Sequence, residues 1–172
     1  YKNMKMTCGS KMLEDFIPVY NATVVENLLN EDAIIIAKTN MDEFAMGASS
    51  KTSYFGVVKN NLDEERIAGG SSSGSAVSVS NKDVLVSIGT DTGGSVRGPA
   101  SYTKIIGYKP TYSLMSRYGV VSMSHTLDQV SIFADNIDDL RTIASITSST
   151  DSHDMTSILE DYDYEKADYD FS

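Results

Sequence analysis

An α/β fold is what this sequence of 172 residues predicts, and three stretches carry the prediction. Val24, Val25, Leu28 and Leu29 fall on one stripe of a helix that Asn21 is placed to cap. AIIIAK, Ala33 to Lys38, then reads as a short buried strand, β-branched and uninterrupted. DVLVSIG, Asp83 to Gly89, reads as a second strand that runs straight into the loop GTDTGGSVRGPA, Gly89 to Ala100.

Further along, NIDDLRTIASIT, Asn136 to Thr147, reads as a capped helix with Asp138 and Asp139 in its first turn, where the macrodipole favours acids. Ser75 to Ser80, SAVSVS, fits a buried helix or a strand equally well. Between Gly98 and Gln129 the signals alternate too quickly for an assignment. The organisation expected is one domain over residues 1–157 and an acidic segment over 158–172. The first residue is Tyr1, not Met, so a longer gene product is expected.

Composition narrows the function. An apolar content of 41% is that of a globular chain. A net charge of −10 argues against gripping a nucleic-acid backbone directly. No apolar run is long enough for a membrane helix. Cys8 is alone, so no internal disulfide forms.

Two Gly/Ser clusters hold the candidate chemistry. AGGSSSGS contains Gly70-x-Ser72-x-Gly74, the spacing of a hydrolase nucleophile elbow, but polar NNLDEERIA precedes it where that elbow needs a strand. Neither His125 nor His153 sits in a setting that suits a base, and no lysine follows the glycines as a phosphate loop requires. A flexible linker is the plain reading of that cluster. In the second cluster, glycines after a strand let the N–H groups of Thr92, Gly93 and Gly94 converge beside the Ser95 hydroxyl. Such a loop suits a spacer, or an oxyanion hole for acyl transfer. Serine needs a proton acceptor, and a second serine relaying to a neutral lysine is one chemical answer.

Elsewhere, Asp42 and Glu43 read as capping or solvent-facing acids before a cation site. Met41, Phe44 and Met46 read as core before a ligand pocket. Asp151, His153 and Asp154 lack a closed ligand set, so no metal site is expected.

Taken together, GGSSSGSAVSVS and GTDTGGSVRGPA resemble the amidase signature family, in which a cis-serine and a nucleophilic serine stand 24 positions apart, as Ser71 and Ser95 do. The resemblance spans nearly all of Thr7 to Ser157. It implies a central mixed sheet flanked by helices, of which this chain supplies the N-terminal and central part. It implies Ser95 as nucleophile, Ser71 as proton relay, the amides of Thr92, Gly93 and Gly94 as oxyanion donors, and Met46 as a substrate contact. It places the catalytic lysine a few residues ahead of Tyr1; Lys2 and Lys5 have the wrong spacing. Ser73 stands where the family commonly has glycine, and LDQVSI lacks the Gly-Pro that commonly follows.

Within the family, TCGSKMLEDF, NMDEFAMG and DMTS look most like the amidase subunits of tRNA-dependent amidotransferases. That likeness implies glutamine as substrate and no cofactor bound by this chain. It implies that ATP and Mg²⁺ are used by a partner B subunit, which would also hold the tRNA, beside a small C- or F-type subunit. It implies the mitochondrial matrix or, alternatively, a bacterial cytoplasm, and an inactive chain when isolated. The alternatives are a hydrolase of small or fatty amides and a non-catalytic subunit.

Overall fold

The computed structural model describes residues 1–157. Its frame is a three-stranded sheet between two pairs of helices. The elements in chain order are α1 (Thr23–Asn30), α2 (Ser73–Ser80), β1 (Val86–Asp91), α3 (Arg97–Thr103), β2 (Ile106–Tyr108), β3 (Gln129–Ala134) and α4 (Ile137–Thr147). The α/β class holds. The strand order is β1-β3-β2, and both pairings are antiparallel, so the described residues show no mixed sheet.

Strand β3 is the spine, and all six of its residues are buried. Alternation along it serves both faces. Val130 and Ile132 pack with Val24 and Leu28 of α1 and Ala144 of α4. Phe133 points the other way, onto Ala76 and Val79 of α2 and Val96 and Ala100 around α3. Complete burial of a ring of this size contributes about 2–3 kcal/mol. Burial on both faces explains why the polar/apolar alternation of Gln129 to Ile132 does not continue through Phe133 and Ala134.

Several local expectations shift. The residue that caps α1 is Ala22, without a side-chain bond, and the helix starts at Thr23. The Asn21 side chain instead accepts from the Lys2 amide at 2.6 Å and donates to Glu26 at 2.8 Å. The turn that closes α2 consumes Asn81 to Asp83, so β1 begins only at Val86 and reaches Asp91. Ser75 to Ser80 are helical. Asn136 caps α4 as expected, accepting from the Asp139 amide at 2.9 Å.

Ala33 to Lys38 is not a buried strand. It has no ladder partner among the described residues, and Ile34 and Ile36 are 87% and 63% exposed. An apolar β-branched run dictates extended backbone, but burial needs a neighbour on each side. Met46 also departs from the core reading, at 57% exposed. Phe44 and Ala45 turn the chain with φ of 48° and 62°, which sends Ala45 inward and Met46 out. The acidic segment 158–172 lies outside the described residues. No helix among the described residues is long and apolar enough to cross a membrane.

Candidate active site

The two Gly/Ser clusters meet at the ends of β1, α2 and α3. β1 delivers the second cluster, and α2 begins with the first. The Ser72 N–H donates to the Ser95 carbonyl at 3.1 Å, which ties the two loops directly. The Ser72 hydroxyl bridges to Thr90, donating to its carbonyl at 3.2 Å and accepting from its amide at 3.3 Å. Gly89 makes this approach possible: a Cβ there would lie 2.8 Å from Ser72 Oγ and 2.9 Å from the Phe133 ring. Ser72 is therefore a scaffold residue, which agrees with rejecting the elbow.

Ser71 is fully buried, and the Gly70–Ser71 peptide is cis. Its carbonyl accepts from the Asp42 N–H at 3.1 Å. The buried Asp42 carboxylate beneath it accepts from the amides of Ser49, Ser50 and Thr52 and from the Thr52 hydroxyl. Asp42 thus neither caps a helix through its side chain nor faces solvent; it ties the 49–52 loop beneath Ser71. Gly70 leaves it room, because a Cβ there would fall 2.0 Å from Asp42 Oδ2.

Ser95 is nine-tenths buried, with Gly93 exposed beside it. The loop is wrapped around Asp91, a residue that sequence reasoning misses. The fully buried Asp91 accepts from the amides of Gly94 (2.8 Å), Val96 (3.1 Å) and Arg97 (3.1 Å). Arg97 adds a two-pronged ion pair at 3.0 and 2.9 Å. Burial pushes the Asp91 carboxyl pKa up, but the Arg97 guanidinium and the three amides hold it net below the ordinary value. Its signal in the sequence is an acid and an arginine flanking the serine within one loop.

Asp91 also changes the oxyanion set. The Gly94 N–H, expected among the donors, is spent on this carboxylate. The amides of Thr92 and Gly93 have no acceptor among the described residues. The Thr92 hydroxyl donates to buried Asp128 at 2.5 Å. Asp128 also accepts from the Ser122 hydroxyl and the amides of Met123 and Ser124. Burial raises the Asp128 pKa, yet these donors hold it net below the ordinary value. This second anchor, equally hidden in the sequence, pins the near end of the loop as Asp91 pins the far end.

No lysine among the described residues bonds to Ser71. The Lys5 amine pairs with Asp15 at 2.7 Å, and that of Lys38 sits on the carbonyls of Tyr1 and Met4. Neither histidine serves the serines. His153 Nδ1 lies 3.0 Å from Asp151, and His125 is exposed. The Met46 side chain is 57% exposed. The described residues contain no group of three or more metal-ligating side chains.

Away from the serines, two carboxylates tie the segment after α4 to the rest. Asp151 accepts from the Thr23 and Ser116 hydroxyls at 2.5 Å. Asp154 accepts from the Arg117 amide and guanidinium and from Thr156. Burial opposes ionisation in both, but the donors win, holding Asp151 far below the ordinary range and Asp154 at about 2. Depressed native values mean that the unfolded chain binds protons first as the pH falls. Stability is therefore expected to stay level from neutrality to roughly pH 4 and to fall steeply toward pH 2. Asp154→Asn should lose about 2 kcal/mol at neutral pH and flatten part of that acid limb. Urea unfolding as a function of pH checks both; an acid limb unchanged by Asp154→Asn would refute the assignment.

Comparisons with known proteins agree with this geometry. A family model described as Amidase matches residues 1–171. The A subunit of the glutamyl-tRNA(Gln) amidotransferase of Halobacterium salinarum is 50% identical over 155 residues, covering 90% of this chain and 37% of that protein. The protein of the same name from Methanosarcina barkeri is 50% identical over 94% of this chain and 34% of its own length. Among solved structures, its namesake from Thermotoga maritima superposes with a TM-score of 0.90 at 43% identity, over 92% of this chain and 35% of that one. The allophanate hydrolase of Kluyveromyces lactis gives 0.89 at 36% identity, over 92% and 26%. The chain spans about a third of the length of the curated relatives it matches.

Proposed function

Because the chain belongs to the amidase family, we propose that it carries the acylation centre of a glutaminase working within a tRNA-dependent amidotransferase. The junction of the two loops through Ser72 and Ser95 carries this reading, in a chain half identical to proteins of that name.

In this mechanism the Ser95 hydroxyl attacks the side-chain carboxamide carbon of glutamine, and its proton passes to Ser71. Ser71 hands its own proton to a neutral lysine, which the family resemblance places ahead of Tyr1 and whose pKa burial would lower. The oxyanion is held by the amides of Thr92 and Gly93, with Gly94 reassigned to anchoring the loop. As the C–N bond breaks, the lysine proton returns through Ser71 to the leaving nitrogen, and ammonia departs. Water then attacks the glutamyl ester and releases glutamate with Ser95 restored. Ammonia passes to a partner B subunit that spends ATP with Mg²⁺ on Glu-tRNA(Gln), beside a C- or F-type subunit. Met46, exposed and following the turn at Phe44 and Ala45, is proposed as a substrate contact.

The test is ammonia release from glutamine by the full-length protein in its complex. Turnover of other small amides without turnover of glutamine would sink the reading. It would favour a general amide hydrolase, a role closer to that named for the Kluyveromyces lactis neighbour. No turnover of any amide would favour a non-catalytic subunit. The 172 residues alone are expected to release no ammonia, since the family resemblance puts the lysine and the glutamine pocket outside them. Measurable release by the isolated chain would overturn that prediction. The finer proposal for compartment is the mitochondrial matrix. The archaeal and bacterial sources of the relatives favour a cytoplasm instead.

A further inference from the structure

The Ser71 hydroxyl has no hydrogen-bond partner among the described residues, so no side-chain bond fixes its approach to Ser95. That approach is set by how α2, which opens just after Ser71, lies on β1, which leads into the Ser95 loop. Two pegs hold α2 on β1. At the first, the Ser72 hydroxyl bridges both backbone groups of Thr90. Thr90 stands opposite Val130, so groups that go to Ser72 point off the edge of β1 away from β3. At the second, one helical turn along, the Ser75 hydroxyl donates to the Ile88 carbonyl at 2.9 Å. The Ser87 hydroxyl answers it, donating to the Ser75 carbonyl at 2.7 Å. Ser72 and Ser75 share a helix face, and Thr90 and Ile88 share a strand edge, so both α2 hydroxyls meet the same edge of β1. The Thr39 hydroxyl backs the second peg at 2.7 Å from Ser75 Oγ. Because the Ser75 proton goes to Ile88, Thr39 is the donor there.

We propose that Ser75 and Ser87 are positioning residues that set the approach of Ser71 to Ser95 by fixing the angle of α2 on β1. The proposal rests on the glutaminase reading and names two residues that reading does not use. Two points fix an angle where one leaves a pivot. The Ser72 amide also donates to the Ser95 carbonyl, but at the pivot itself. The Asn40 carbonyl accepts from Gly74 at 3.0 Å, which joins the opening turn of α2 to the 39–42 segment and not to β1. Ser80 holds the far end of α2 to the Thr103 carbonyl of α3. Ala76 and Val79 pack with Phe133, an apolar contact that lacks direction. Of these ties, the one that meets β1 away from the pivot is the peg of Ser75 and Ser87.

Misplacing a reacting group lowers the rate of the chemical step without weakening substrate binding. In the full-length protein in its complex, Ser75→Ala and Ser87→Ala should each lower kcat for glutamine about threefold, with KM within about twofold. Each leaves the other bond of the peg in place. The double variant should lose about 30-fold or more, beyond the product of the two, because neighbouring contacts couple. Ser87→Thr keeps the hydroxyl on a residue suited to a strand and should restore most of the rate. Rates are taken per active site, titrated with the diazoketone analogue of glutamine, so unfolded protein is not counted. A double variant with wild-type kcat overturns the proposal, as does a loss confined to KM or a Ser87→Thr no faster than Ser87→Ala. If the wild type does not turn over glutamine, the glutaminase reading is lost and this proposal with it. A normal wild type beside an equally fast double variant removes Ser75 and Ser87 alone.

Discussion

Replacing Ser95 with alanine in the full-length protein is expected to lower kcat for glutamine hydrolysis by about 10⁴- to 10⁶-fold, the range seen when a hydrolase loses its nucleophile. Stability should change by less than about 0.5 kcal/mol. The reason is local. Ser95 contributes its carbonyl to the scaffold, accepting from the Ser72 amide, and alanine keeps that carbonyl. The loop is held by Asp91 and Asp128, neither of which contacts the Ser95 side chain. Rate assays beside thermal melts separate the outcomes. Retention of more than about a hundredth of the wild-type rate would remove Ser95 from the chemistry.

The second large effect is expected at Asp91. Asp91→Asn preserves size but puts an NH₂ group where one carboxylate oxygen now accepts. Oδ2 takes the amides of Val96 and Arg97 and the Arg97 Nε, and Oδ1 takes the Gly94 amide and the other Arg97 prong. Whichever way the new amide turns, donors face donors inside a fully buried site. The Arg97 side chain is 52% exposed, so water screens the stranded cation and the loss is smaller than for a wholly buried pair. The expected cost is about 2–4 kcal/mol of stability. A misaimed loop should also cost about 10²–10³ in kcat, as the loss of an oxyanion donor does. Because the lost bonds hold both sides of Ser95, kcat should fall much more than KM rises. A variant with a normal kcat would show that the clamp does not set the geometry of the serine.

Part of this architecture is readable in the sequence, and particular residues show where that stops. The helix Asn136 to Thr147 is legible because a cap, first-turn acids and an apolar stripe all point the same way. Helix α2 is ambiguous because Ser73 and Ser75 are buried and Ser75 and Ser80 bond to carbonyls of β1 and α3, so no polar face marks its period. Strand β3 is hard to read because its alternation lasts only from Gln129 to Ile132 before Phe133 and Ala134, buried on the two faces, break it. α3, RGPASYT, carries Gly98 and Pro99 in its first turn and so reads as loop. AIIIAK gives the opposite error, an extended run without a described partner.

For the site, the spacing of Ser71 and Ser95 is visible, and so is the Gly-rich loop that joins β1 to α3. The roles of Asp91 and Asp128 are not. These depend on which groups a fold brings to a carboxylate, and one-dimensional spacing does not encode that. The same limit explains Gly94, whose amide looks free in the sequence and is held by Asp91 in the fold.

The central claim is that Ser95 forms the acyl bond. Its most direct test is to treat the full-length protein in its complex with the diazoketone analogue of glutamine and map the adduct by mass spectrometry. The account predicts one covalent adduct, on Ser95, abolished by Ser95→Ala and competed by glutamine. An adduct on Ser72, or on no serine at all, would contradict it.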